Sequence, residues 1–203
     1  MEFMQNSDDA ESQSVKIDID KENIEISNDG RPFSDIDVES ICKIGRSSKS
    51  PETYIGYLGV GFKVAFLISE SPQIHSGKFH FKFDKNHWTN DNKISWQIIP
   101  IPMVEACSGS SWTTKFVLPL KNLGLLEKLR AEVGPDQLNN RLLLFLRNVK
   151  EIQVVDHVRG FTKSMSKKQI ALECSAAAFC GLAAWVCDPL RETSLFGCGS
   201  AVL

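Results

Sequence analysis

The chain has no apolar run approaching the roughly 20 residues that a bilayer-spanning helix needs; its longest candidate, around Ala176–Val186, reaches about half that. No membrane span is expected. An excess of basic charge is also missing: 23 Lys and Arg stand against 25 Asp and Glu, a formal net charge of −2. Surfaces built for nucleic-acid phosphates or anionic lipid need clustered Lys and Arg, so neither partner is expected. A small anion stays open, because backbone amides bind anions without net positive charge. The first residues, MEFMQNSDDAES, lack the basic-then-apolar order of a signal peptide. That points to an intracellular setting, cytoplasmic or nuclear. The six cysteines contain no CxxC pair, and no His stands among Cys174, Cys180, Cys187 and Cys198. Buried free thiols are therefore expected rather than a zinc site or a disulfide framework.

What is present is an ordinary globular balance of 203 residues, 42% hydrophobic and 24% charged, enough for one domain with a core. Residues 2–10 read as a helix. Val15, Ile17 and Ile19 alternate with polar residues, as do Ile24 and Ile26, which predicts a hairpin. After the loop NDGRPF, Ser34 is placed to cap a helix running through Ile36, Val38, Ile41 and Ile44, with Gly45 ending it. Residues 46–57 form a long polar loop, and an apolar helix follows from Gly59. Strands are expected from the alternation of Phe79, Phe81 and Phe83, from Ile94–Ile101 and from Thr114–Leu120. Helices are expected over 122–132 and 136–148, with Ile152–Val155 as the last strand. The class is α+β: a two-layer sandwich of a mixed, mostly antiparallel sheet with helices on one face. The domain is expected to span residues 1–160, and 161–203 to be a poorly patterned tail, disordered or foreign to the native design.

Three motifs carry chemistry. Glu2, Asn6 and Asp9 are spaced by four and three residues and share one helical face, an arrangement that any solvated helix end also shows. Asn28 and Asp29 close a strand beside Gly30, where an amide or carboxylate can meet a base edge; a plain Asn-Asp-Gly turn looks the same. GYLGVGF sets Gly56, Gly59 and Gly61 at the start of a helix, leaving backbone N–H groups open to a phosphate chain. It follows Ser47, Ser48 and Lys49, which can donate to phosphate oxygens. It lacks the preceding βαβ strand of a dinucleotide fold and the GKS or GKT of a Walker loop.

The order of these motifs resembles the GHKL ATPases, the family of gyrase, the Hsp-type chaperones, histidine kinases and MutL. It resembles in particular the branch of sacsin and plant NO VEIN, through MQNSDDA, IGRSSK, GVGFKVAF, SGKFHFKFD and TKFVLPL in order over residues 2–155. The resemblance implies a Bergerat-type ATP-binding fold with ATP and Mg2+ as cofactors. It implies Glu2 as general base on the attacking water, Asn6 as holder of Mg2+ and Asp9 one turn further on the nucleotide side. Asn28 falls where the family has an adenine-binding Asp, with Gly30 beside it. Ser48, Lys49, Gly56, Gly59, Val60, Gly61 and Phe62 form the lid and phosphate cradle, and Thr114 supports the adenine end.

Three features depart from the pattern. Asn28 lacks the charge of a carboxylate, although its oxygen can accept from the adenine amino group. Pro32 stands at the loop's second glycine. The helix begins at Glu2 itself, as in a fragment. The expected function is Mg-ATP binding with slow hydrolysis, linked to lid closure in a chaperone-like or regulatory protein with clients of unknown identity. The alternative is a catalytically degenerate binding or interaction scaffold. None of His75, His80, His87 and His157 sits in a phosphoacceptor helix pattern, which argues against a kinase.

Overall fold

A computed structural model of the chain describes residues 2–42, 61–88, 98–104, 111–133, 140–170 and 184–188. It opens with helix α1 (Glu2–Asp9), followed by the hairpin β1 (Ser14–Ile19) and β2 (Asn23–Asn28). Helix α2 (Asp35–Cys42) starts as expected at Ser34. The Ser34 Oγ accepts the Asp37 N–H at 3.4 Å, and the Asp37 carboxylate accepts the Ser34 N–H at 2.8 Å, a reciprocal cap. Ile44 and Gly45 lie outside the described residues.

The chain returns in a 3-10 turn (Gly61–Val64) that runs into the short α3 (Ala65–Ile68). The apolar helix foreseen from Gly59 is thus, where described, one tight turn and one helical turn. Next come β3 (Gln73–Ser76), β4 (Phe79–Lys82), β5 (Ile101–Pro102), β6 (Thr114–Pro119), α4 (Leu123–Val133), a 3-10 segment (Asn140–Phe145), β7 (Glu151–Asp156), β8 (Phe161–Ile170) and β9 (Ala184–Asp188). Of the expected strand 94–101, only Ile101 belongs to β5, and 94–97 lie outside the described residues.

All nine described strands join one sheet in the order β5-β4-β3-β6-β2-β1-β7-β8-β9, and only the β1–β7 pairing is parallel. Period-two alternation sends Val15, Ile17, Ile24, Ile26, Ile74, Phe81, Phe116, Leu118, Ile152 and Val154 to one buried face. The helices cover that face. The other carries Lys115 paired to Glu25 and Lys16 paired to Asp18, both at 2.9 Å. The fold is therefore α+β, a mixed and mostly antiparallel sheet with helices on one face.

Two expectations are corrected at the C-terminal side. Residues 140–145 form 3-10 turns, not part of a helix over 136–148, because the backbone groups that an α-helix would use are taken from outside. The Asp8 carboxylate accepts the N–H groups of Arg147, Asn148 and Val149 at 2.9, 2.7 and 2.9 Å. The Lys167 ammonium donates to the carbonyls of Leu143 and Leu146. Second, β7 is not the last strand. The sheet continues past residue 160 through β8, registered along β7 from Glu151–Ser166 to Asp156–Phe161, and then through β9. The rest of the expected tail, 171–183 and 189–203, lies outside the described residues.

Candidate functional site

Glu2, Asn6 and Asp9 lie along one half-exposed face of α1, as their spacing predicts, while Met4, Ser7 and Asp8 are buried on the opposite side. Asp8 clasps the chain at 147–149, and the Asn148 side-chain amide returns a bond to the Asp8 carbonyl at 2.8 Å. The same helix also touches the turn Gly61–Val64. A single ring organises these parts. Phe116 of β6 lies 5.1 Å from Phe3 of α1, 6.1 Å from Phe33 of the loop after β2 and 6.0 Å from Phe62 of the turn, centroid to centroid. The Phe62 ring also packs on Phe66 and Phe83, so its partly buried side chain lies against the core.

One step toward the strand ends from Phe116, the inward row turns polar. Asn28 of β2 is the direct partner of Thr114 of β6, which in turn partners Ser76 of β3. The three are 3%, 2% and 1% exposed. Ser76 and Thr114 share a hydrogen bond of 2.6 Å between their hydroxyls, and Ser76 Oγ accepts the Phe33 N–H at 2.9 Å. The Asn28 Oδ1 accepts the Gly30 N–H at 3.2 Å. Among the described residues the Asn28 Nδ2 has no partner. A buried donor of this kind is one that an ordered water or a ligand could satisfy.

Asp29 has a different task from its neighbour. One of its oxygens accepts the Ser12 hydroxyl at 2.6 Å and the N–H groups of Gln13 and Ser14 at 2.8 and 2.9 Å. Burial pushes this carboxyl up, but those three donors outweigh it and hold it below the ordinary range. Asp29 thus holds the start of β1, a task that Asn28 does not share. Gly30 is required by close approach: a Cβ there would stand 2.6 Å from the Ala10 carbonyl oxygen. Pro32 fits because Gly77, at φ +54°, leaves room for its ring in the β3–β4 turn.

Of the residues expected on the phosphate side, Gly61 opens the turn that touches α1. Ser48, Lys49, Gly56, Gly59 and Val60 lie outside the described residues. The flanks of that segment are tied together, since the Lys63 ammonium donates to the Ile41 carbonyl at 2.9 Å near the end of α2. Burial lowers the pKa of Lys63 against the pull of Cys42, and burial raises that of Cys42 against Lys63. Among the described residues no three His, Cys, Asp or Glu converge. A divalent ion here would rely on Asn6 and ligand phosphate oxygens, the way Mg2+ is commonly held.

Asp8 and Ser76 were not foreseen as important. The helical wheel that groups Glu2, Asn6 and Asp9 also puts Asp8 on the apolar side with Met4, where a carboxylate needs partners. Those partners sit 139–141 residues away and leave no local trace.

The profile of the family described as histidine kinase-, DNA gyrase B- and HSP90-like ATPase matches residues 1–110. The chain belongs to this ATPase family. Among curated proteins, NO VEIN from Arabidopsis thaliana is 26% identical over an alignment covering 89% of this chain and 7% of that protein. The chain spans a small part of the relative it matches. Among the described residues no helix of this ATPase-family domain is long and apolar enough to cross a membrane.

Proposed function

We propose that this chain binds a Mg2+–nucleoside triphosphate between α1 and the Gly61 turn, with the purine end at Asn28 and Thr114; ATP is the nucleotide the family implies. The supporting observation is that Phe3, Phe33 and Phe62, one from each of the three segments, converge on Phe116. In this reading Asn6 holds the metal through its amide oxygen, and Glu2 accepts a proton from the attacking water at its carboxylate. Bound there, Mg2+ would neutralise charge on the phosphate oxygens. Slow hydrolysis is the secondary part of this reading, with Glu2 as its general base.

The position within the family is that of the sacsin and NO VEIN branch, and the work done is chaperone-like or regulatory within a larger intracellular protein. Ordering of residues 46–58 over the phosphates would accompany binding. A second reading, a non-hydrolysing interaction scaffold, is favoured by Asn28, whose oxygen is already engaged by Gly30.

Isothermal titration of the full chain with Mg·ATP, paired with a phosphate-release assay, separates the two. Heat with phosphate release supports the ATPase, and heat without release supports the scaffold. Absence of heat removes the nucleotide reading. Glu2→Ala should stop release and leave binding intact, whereas Asn6→Ala should weaken binding only when Mg2+ is present.

A further inference from the structure

We infer that His75 of β3 and His80 of β4 form a two-nitrogen site for a divalent transition-metal ion of the Zn2+ kind, which clips the two strands together on the outer face of the sheet. The site lies on the opposite face of the sheet from α1 and the Gly61 turn, and it stands whether or not the nucleotide reading does.

The turn between the strands sets the pair. Ser76 and Phe79 are cross-strand partners with only Gly77 and Lys78 between them, and Gly77, at φ +54°, takes the first turn position, where a two-residue hairpin favours glycine. The next partners along the ladder are His75 and His80. Side chains directly opposite one another share a face, here the one turned away from the buried Ile74 and Phe81. The two Nδ1 atoms stand 3.1 Å apart. With Zn–N bonds of about 2.0–2.1 Å, an ion bonded to both would have an N–Zn–N angle of roughly 100°, between the square and the tetrahedral values. The hairpin thus holds both donors at ligand spacing before any ion arrives.

The donor set decides which ion fits. Imidazole nitrogen suits Zn2+, Cu2+ and Ni2+, whereas Mg2+ and Ca2+ take oxygen ligands. Lys115 of β6 is the other cross-strand partner of His75, and the Glu25 carboxylate holds its ammonium at 2.9 Å, which offsets the positive charge that an incoming cation would meet. Among the described residues no third His, Cys, Asp or Glu joins the pair, so water completes the shell and the ion exchanges. His80 is partly exposed and gives solvent a way in. Without an ion, the pair shares one hydrogen: one ring carries it on Nδ1 and donates to the Nδ1 of the other. With an ion, both Nδ1 lone pairs are taken, and both rings carry their hydrogen on Nε2.

That change of tautomer is the test. The full chain, stripped with a chelator and labelled with nitrogen-15 in its histidines, is titrated with ZnCl2 at about pH 8, where free imidazole is neutral. The expected result is a pair with one Nδ1–H ring and one Nε2–H ring before addition, and two Nε2–H rings after one equivalent of Zn2+. MgCl2 should change neither ring. Rings of His75 and His80 that keep their tautomers in Zn2+ show a shared hydrogen bond only and overturn the site, as does an equal response to Mg2+. In isothermal titration, His80→Gln should weaken Zn2+ binding at least about tenfold, because losing a ligand costs no less than losing a group behind one. Unchanged Zn2+ affinity in that variant places the ion elsewhere and also overturns the site. Should His80→Gln fail to fold, the tautomers of the wild-type rings alone decide.

Discussion

Asn28 and Thr114 are direct cross-strand partners on the inward face of β2 and β6, both buried at the end of an otherwise apolar row. Thr114→Val keeps the branched shape and removes only the hydroxyl, leaving Ser76 with the Phe33 N–H as its sole partner among the described residues. We expect about 1 kcal/mol of lost stability in chemical denaturation, together with weaker nucleotide binding. Lost stability with unchanged affinity would confine Thr114 to a structural role.

Asp8 joins α1 to the start of β7 across most of the chain. Asp8→Ala leaves the N–H groups of 147–149 without their acceptor, and about 3–5 kcal/mol of destabilisation is expected in urea melts. Asp8→Asn should recover little, since its amide nitrogen would face one of the same N–H donors. A chain cut after residue 122 loses both this clasp and the parallel partner of β1, and should not give a cooperative unfolding transition even though it contains the whole family-matched segment. Cooperative unfolding of that shortened chain would show that α1 holds itself.

The sequence was most readable where a single local rule decides the outcome. The hairpin β1–β2, strand β6 and the Ser34 cap follow from alternation and capping chemistry, and so does the shared face of Glu2, Asn6 and Asp9. Distant partners hid the rest. In β3 the buried run Ile74, His75 and Ser76 breaks the alternation, because His75 is covered on the outer face and Ser76 bonds to Thr114 on the inner. In β8 the inward positions include Lys163 and Lys167, and Lys167 looks solvent-facing until the carbonyls of Leu143 and Leu146 are in place. The stretch RLLLFLR reads as a helix for the same reason, since nothing nearby announces that Asp8 and Lys167 claim its backbone.

Gly30 allows the strand end to pass under α1. Gly30→Ala would drive a Cβ to 2.6 Å from the Ala10 carbonyl oxygen and 3.0 Å from the Ser12 nitrogen, both backbone atoms that cannot swing aside. The end of α1 must shift. A stability loss of about 1–3 kcal/mol is expected, with a larger loss of Mg-dependent nucleotide affinity than Thr114→Val causes. A Gly30→Ala protein with wild-type melting and affinity would contradict this packing.

On the outer face, His75 and His80 approach Nδ1 to Nδ1 at 3.1 Å across β3 and β4. Burial, the charge of His80 and that of Lys115 lower the pKa of His75, and Glu25 opposes them weakly. The folded protein therefore binds this proton less readily than the unfolded chain does. The resulting stability is complete above the unfolded value of about 6.5 and declines as pH falls from there toward the lowered folded value. Melting temperatures should drop between roughly pH 7 and 5, and His75→Gln should flatten that slope. An unchanged slope in the variant would assign the acid sensitivity elsewhere.

The bond from Lys63 to the Ile41 carbonyl has an evolutionary corollary. It makes Ile41 and Lys63, on either side of residues 43–60, neighbours. Lengthening a flexible connection between two such points adds only about 0.6 kcal/mol of closure entropy per doubling. Insertions and deletions between Cys42 and Gly61 can thus accumulate among descendants of this domain without disturbing the registry of β3 on β6.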